Sequence, residues 1–413
     1  MTAPLEIQTD LRQAVFALSD ALDLVGVDDY HHGKRVGLMA VECGRDLELA
    51  SGDLDLLLDA GLLHDCGVSS TEVHHHLVAE MDWDGAQAHC DRGHALLEGF
   101  SPLAHLAPLV LYHHTHCDRL SGLDLDERTK LYSNLIFLTD RVDTLAAPHY
   151  GQQSLLFYRG EIRDTIARYG GSFFAPQLVE AFLHASENEA FWLYLEPPHI
   201  HTYLGEMAQR RQYQQIGYPQ LRQLAEMFSR IVDAKSAFTV EHSHGVSSLA
   251  RLLGELAGLP ETSRQKLEIA GLLHDLGKLR VPDEILEKPG KLTQEERAAM
   301  ERHSFETYQI LRRIPGLEEI ARWAAYHHEA PDGEGYPFHR KGSELPREAR
   351  IISVADVFQA LAQNRPYRAA LPPAEILGHL RELSAGGHLD ASVVKLVERN
   401  LEACWHAATG HPE

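Results

Sequence analysis

The 413-residue chain is poor in cysteine: it has five, an odd number at irregular spacing, which fits neither a disulfide framework nor paired CxxC zinc knuckles. No run approaches the roughly 18 apolar residues of a membrane span. The first residues, Met-Thr-Ala-Pro-Leu-Glu-Ile, lack the basic stretch and apolar core of a signal peptide. A soluble, cytoplasmic protein with reduced thiols and no membrane partner is expected. Basic side chains are scarce too. Lys+Arg number 38 against 60 Asp+Glu, and the net charge of −22 excludes the broad phosphate-tracking surface of a protein that binds nucleic-acid polymers. Any anionic ligand must meet a local cluster of cations. Low-complexity tracts, blocks of like charge and alternating strand-like runs are also missing.

Histidine is plentiful, with 27 in the chain, and it is both the commonest metal ligand and the side chain that titrates near neutrality. Ten of the 27 fall into two matched series. The first runs His32, then Leu62-Leu63-His64-Asp65-Cys66-Gly67, His89, His113-His114 and Asp140. The second runs His242, then Leu272-Leu273-His274-Asp275-Leu276-Gly277, His303, His327-His328 and Asp356. In both, 32 residues separate the first His from the His-Asp pair and 24 separate the lone His from the paired His. The other two intervals, 25 against 29 and 26 against 28, differ by small loop insertions. Beyond the last Asp the register continues, Gly170-Gly171 matching Gly386-Gly387. The chain is therefore a duplication of whole domains.

Apolar residues recur at three- and four-residue steps, as in Leu252-Leu253-Leu256 and Ile310-Leu311-Ile314, which predicts helix almost throughout. Thr293-Gln-Glu-Glu296 reads as a capping box and Pro372-Pro373-Ala-Glu as a helix start. The expected class is all-α, with domains over 1–184 and 226–413 joined by a helical connector over 185–225. Pro197-Pro198 interrupts that connector, and a long helix follows Tyr218-Pro219 into the second domain.

Five His and two Asp on different helices are what a bundle core needs to hold two divalent cations through neutral imidazole and a bridging carboxylate. Neighbouring residues on a helix point about 100° apart, so the His of a His-Asp pair can grip one cation while the Asp turns to a second.

Residues 230 to 400 resemble the HD-GYP phosphodiesterases of the HD metallohydrolase superfamily. The residues that carry the likeness are His274-Asp275-Leu-Gly-Lys278, Ile285-Leu-Glu-Lys-Pro-Gly-Lys-Leu-Thr293, Met300-Glu-Arg-His303, His327-His328-Glu329-Ala-Pro-Asp332-Gly-Glu-Gly335-Tyr336-Pro337, and Ala355-Asp356-Val-Phe with Arg365-Pro-Tyr-Arg368. The resemblance implies an all-α domain with a two- or three-metal centre, usually iron or manganese, that hydrolyses bacterial cyclic dinucleotides. Position by position, it implies His242, His274, Asp275, His303, His327, His328 and Asp356 as metal ligands, with Asp275 as the bridge. It implies Lys278, Arg365 and Arg368 as phosphate contacts. Some members hold a third metal through a Glu four residues before the first His. Phe238 stands there in this chain, so two metals are expected. Paired cations acidify a shared water for in-line attack on phosphorus, and Lys278 offsets charge growing on the phosphoryl oxygens. The Gly335-Tyr336-Pro337 turn is open to two roles: a loop brace, or a contact with substrate or with a partner such as a second copy or a signalling protein.

The first copy resembles HD proteins generally. Its His32, His64, Asp65, His89, His113, His114 and Asp140 keep a metal set, but its phosphate contacts are gone. Val68 replaces Lys278, His149 and Gln152 replace Arg365 and Arg368, and Thr115-His-Cys-Asp-Arg119 follows the paired His without Gly-Tyr-Pro. Asp28 is either a further carboxylate for metal or a solvated loop residue, and Cys66, Cys90 and Cys117 fit packing better than redox sensing. The leading expectation is a phosphodiesterase for cyclic di-GMP that yields linear dinucleotide and some mononucleotide. An alternative is a 3′,3′-cyclic GMP-AMP phosphodiesterase whose first copy removes the 5′ phosphate of the linear product. A third, of another class, is a cyclic-dinucleotide receptor or scaffold without turnover.

Overall fold

The computed structural model describes residues 7–26, 31–68, 70–150, 154–209, 214–235, 242–364 and 369–410. The fold is all-α, as the sequence predicts. The described residues contain one two-stranded antiparallel ribbon, Gln8–Asp10 with Gln215–Gly217, in which Thr9 faces Ile216. Two compact units result, one of residues 22–213 and one of residues 1–21 with 214–413. This grouping differs from the expected boundaries at 184 and 225. The ribbon is the physical reason at the N-terminus, because it ties the first strand to the chain leading into the second copy. Within the expected connector, the interruption falls at residues 194–196, between the helix Glu189–Leu193 and the helix Pro197–Gln209 that the Pro pair opens. A Pro at the first helical position loses no bond it could have made.

In the first copy, the helix His32–Asp46 packs on Ser51–Leu63, and the set is completed by Gln87–Glu98, Ala107–Tyr112 and Glu127–Tyr150. The second copy repeats the series as His242–Leu256, Glu261–Leu273, Gln294–Leu311, Glu318–Ala325 and Arg347–Ala362. Local chemistry sets several boundaries. The Thr293 hydroxyl accepts from Glu296 N at 3.2 Å while Glu296 Oε2 accepts from Thr293 N at 2.7 Å, which is the expected capping box. The helix Pro373–Ala385 starts at the expected Pro pair.

Two glycines per copy let the elements meet closely enough to assemble a site. A Cβ at Gly61 would lie 2.4 Å from the backbone of Gly37, and one at Gly271 would lie 2.7 Å from that of Ser247. The first two helices of each copy therefore touch backbone to backbone, which brings the first His beside the His-Asp pair. Further on, a Cβ at Gly67 would lie 1.9 Å from the His89 carbonyl oxygen and one at Gly277 would lie 2.1 Å from that of His303. These glycines seat the helix carrying the lone His against the His-Asp turn. Gly277→Ala is expected to push the His303 helix outward and lower bound metal in the second copy while far-ultraviolet helicity stays near wild type, as measured by elemental analysis and circular dichroism.

Candidate metal centres

In the second unit, His274 caps the helix Glu261–Leu273, His242 opens the helix His242–Leu256, His303 and Asp356 lie on Gln294–Leu311 and Arg347–Ala362, and His327 lies in the turn after Glu318–Ala325. All are buried or nearly so. Donor atoms of His242, His274 and Asp356 lie within 4.8 Å of one another, as do those of His303, His327 and His328. Asp275 spans the two groups. Its Oδ2 is 3.3 Å from His274 Nε2 and 3.7 Å from His242 Nε2, and its Oδ1 is 3.5 Å from His303 Nε2 and 3.8 Å from His327 Nε2. Asp356 Oδ1 completes the first group at 3.3 Å from His242 Nε2.

The imidazoles are held from behind. His274 Nδ1 donates to Gly271 O at 2.8 Å, His303 Nδ1 to Met300 O at 2.5 Å and His327 Nδ1 to Ala324 O at 2.6 Å. Each Nδ1 donates to a carbonyl three residues back, so each Nε2 is turned into the site, and in His303 and His327, which burial keeps neutral, it carries a bare lone pair. Yet His303 Nε2 and His327 Nε2 stand 3.2 Å apart, and two lone pairs so placed repel unless a cation lies among them. His274 Nε2 and Asp275 Oδ1 are moreover buried with no hydrogen bond to satisfy them, a costly arrangement without a ligand. This donor set fits divalent metal. Burial holds His303 down to about 3 and His328 to about 4, so both imidazoles are neutral. Burial also opposes ionisation of Asp275, but His274 and Lys278 hold it well below the usual carboxylate range.

Lys278 sits in the short helix Leu276–Arg280, with Nζ 2.5 Å from Asp275 Oδ2, partly exposed at the edge of the site. Tyr336 tilts against His328 with ring centres 4.8 Å apart. Its loop is tied by the Glu329 carboxylate, which accepts from Phe338 N at 2.6 Å and from Arg340 N at 2.7 Å. Arg365, Arg368, Phe238, Asp28 and Gln152 lie outside the described residues.

The first copy repeats the arrangement. Asp65 Oδ2 is 3.5 Å from His64 Nε2 and 3.8 Å from His32 Nε2, and its Oδ1 is 3.3 Å from His89 Nε2 and 3.7 Å from His113 Nε2. Asp140 lies 3.4 Å from His32 and, through its other oxygen, 3.8 Å from His114. Asp65 Oδ1 is again buried without a hydrogen bond. The surroundings differ, however. Arg141, where the second copy has Val357, binds Asp140 Oδ2 at 2.8 Å and the carbonyls of Leu77 and Glu80, closing the helix Thr71–Ala79 against the site. The space left beside His32, His64 and His74 is about 20 Å³. His149 stacks on Tyr158 at 3.9 Å. Cys66 is buried with its thiol on Gly93 O, Cys117 donates to Ser172 O at 3.0 Å, and Cys90 lies 3.6 Å from His113 Nδ1.

Sequence reasoning passed over the groups behind the first His of each series. Asp143 Oδ2 accepts from His32 Nδ1 at 2.7 Å, and Gln359 Oε1 accepts from His242 Nδ1 at 2.5 Å. Each follows the last Asp of its series by three residues, a spacing that could have exposed them. Asp143 also receives Arg35 Nε at 2.6 Å and Tyr150 Oη at 2.6 Å. Arg35 itself is fully enclosed, its guanidinium 4.3 Å from the Tyr150 ring.

An HD domain model matches residues 226–393. The 3′3′-cGAMP-specific phosphodiesterase 1 of Vibrio cholerae is 38% identical over 403 residues, covering 96% of this chain and 93% of that protein. The chain belongs to the HD-GYP phosphodiesterase family. The cyclic di-GMP phosphodiesterase response regulator RpfG of Xanthomonas campestris is 38% identical over 161 residues, 38% of this chain and 43% of that one. Among solved structures, a cyclic GMP-AMP specific phosphodiesterase of V. cholerae aligns with a TM-score of 0.66 at 26% identity, covering 98% of this chain and 99% of that one. No helix among the described residues is long and apolar enough to cross a membrane.

Removing Arg35 would leave the Asp143 carboxylate buried without its main counter-charge. Arg35→Ala is expected to cost about 3–5 kcal/mol in the first unit, read as an earlier transition in chemical denaturation. Arg35→Met combined with Asp143→Asn should recover part of that loss, because it removes the unpaired charge and keeps an acceptor for His32 and Tyr150.

Proposed function

We propose that the chain is a metal-dependent phosphodiesterase that opens a cyclic dinucleotide at the second-unit centre, with 3′3′-cyclic GMP-AMP as the preferred substrate. The observation that carries this reading is the division of Asp275 between two imidazole groups with Lys278 on the same carboxylate. Two divalent cations, iron or manganese, bound to His242, His274, His303, His327, His328, Asp275 and Asp356 would supply Lewis acidity and an acidified water for attack on phosphorus. The chain's own residues do the rest. The backbone-anchored imidazoles fix the site before substrate arrives, and the apolar helices around it exclude bulk water. Lys278 presents an ammonium to a nonbridging phosphate oxygen, and this is how a chain of net charge −22 locally favours an anion. Tyr336 braces the His328 side of the centre and borders the substrate.

The sequence put cyclic di-GMP first. What favours the mixed dinucleotide is that the cGAMP-specific relative matches along both units, whereas the cyclic di-GMP enzyme matches over 38% of the chain.

The first unit is read as a second metal centre with another task. It keeps the ligand geometry, but Val68 offers no charge where Lys278 stands, and a space of about 20 Å³ cannot admit a dinucleotide unless the Thr71–Ala79 helix moves. A small group such as the 5′ phosphate of the linear product, or a purely structural ion, suits it better.

Product analysis with both cyclic dinucleotides, alongside metal content, tests these readings. Asp275→Ala is expected to abolish ring opening, and survival of activity would sink the assignment. Lys278→Ala should keep its metal and lose roughly 10²- to 10³-fold in kcat. Asp65→Ala should leave ring opening intact; accumulation of linear dinucleotide would mark the first unit as a phosphatase, and an unchanged product pattern would mark it as structural.

A further inference from the structure

The second unit contains a cavity of about 930 Å³ beside its metal centre, within the size range of small-molecule sites. Its walls are the end of the helix Tyr218–Asp233, the start of His242–Leu256 and the ends of Arg347–Ala362 and Leu401–Thr409. Two wall residues belong to the surroundings of the centre. Gln359 holds His242 Nδ1, and Asp233 receives the hydroxyl of Ser243, the residue after His242. The cavity is thus one side chain away from the first imidazole.

The duplication supplies an internal control. Counting from His32 and His242, Arg35 occupies the position of Gly245; counting from Asp140 and Asp356, Asp143 occupies that of Gln359. In the first copy the Arg35 guanidinium, its pair with Asp143 and the Tyr150 ring fill this place. In the second, Gly245 contributes no side chain, the Ala408 backbone and Gln359 close against it, and the cavity lies beside them with no ion pair to fill it. The copy that filled the cavity is also the one with Val68 in place of the phosphate-binding lysine. An open cavity and a cation for phosphate thus occur in the same copy, as expected if both serve one ligand.

The lining matches a flat, polar-edged heterocycle. Trp405 is half-buried and offers an indole face for stacking. Asn364 accepts from Ala370 N through Oδ1 at 2.8 Å, which points its amide NH₂ to other acceptors. Gln363 and Arg230 add the amide and guanidinium groups that pair with purine edges.

We propose that this cavity seats one purine base of the dinucleotide, stacked on Trp405 and read at its edge by Asn364, Gln363 and Arg230. The proposal rests on the phosphodiesterase reading above for its choice of ligand. It assigns base recognition to the back of the first metal ligand, so that the metals and Lys278 hold phosphate while this cavity holds the heterocycle.

Two variants of the full-length protein test it: Trp405→Ala removes the stacking face, and Ser248→Trp, at an exposed wall position, fills the space. The expected result is a rise of about tenfold or more in KM for 3′3′-cyclic GMP-AMP or cyclic di-GMP in both variants, with metal content at the wild-type level. Unchanged KM for both substrates overturns the proposal. A second readout does not depend on turnover: ligand-detected NMR with guanosine and adenosine, which have no phosphate for metal to hold. A nucleoside signal with wild type that is lost in both variants sustains the cavity as a base site. An equal signal in the variants, or none with wild type, overturns it. If wild type hydrolyses neither cyclic dinucleotide, the phosphodiesterase reading fails by itself, and the nucleoside measurement still decides the cavity.

Discussion

Each unit depends on one buried carboxylate being shared. Asp275 in the second copy and Asp65 in the first each direct one oxygen to the first imidazole pair and the other to the second pair. An enclosed carboxylate is costly unless compensating groups surround it, and here that requires four helices to end or pass within a few ångströms of it. The glycine contacts at Gly61 and Gly67, and at Gly271 and Gly277, are what permit that convergence. The backbone carbonyls behind His274, His303 and His327 then fix which nitrogen faces inward. Helix packing, tautomer and charge are therefore one constraint seen at three scales.

Most of this was legible in the sequence because it was written twice. One histidine on a helix says little, but two series with matching intervals locate the same helix faces in both copies. The duplication also extends further back than the histidines: Leu11-Arg12-Gln13 and Asp23 match Leu221-Arg222-Gln223 and Asp233 at the spacing that relates His32 to His242. The supports behind the first His were hidden because one copy uses a carboxylate, Asp143, and the other an amide, Gln359, and no shared residue type marks them. Pro197-Pro198 was legible as a break because the ring that cannot continue one helix can start the next. The pairing of Gln8–Asp10 with Gln215–Gly217 joins segments too short and too distant in sequence for any local pattern to announce.

The two copies then diverged without disturbing the shared carboxylate. Among the substitutions that separate them, four act on access or charge and leave the ligand set itself unchanged. Val68 removes the ammonium that Lys278 places on the shared carboxylate of Asp275. Arg141 in place of Val357 adds a cation at the last Asp and uses its remaining donors to fasten a helix across the opening. Arg35 with Asp143 forms a buried ion pair where the second copy has Gly245 with Gln359 at the border of a cavity.

Taken together, these changes fasten a helix across the first centre and fill its surroundings, while the second keeps Lys278 partly exposed at its edge and a cavity behind His242. Burial of Arg35 and Asp143 is costly in desolvation and recovers that cost only through close pairing, so the filled arrangement is stable only as a set. Gly245 is constrained too, because a Cβ there would lie 2.3 Å from the Ala408 carbonyl oxygen. The helix Leu401–Thr409 can approach only because that position is bare, and its approach is what brings Trp405 to the cavity wall. A larger residue at 245 would therefore displace the indole as well as occupy space, which couples the openness of the cavity to the presence of its stacking face.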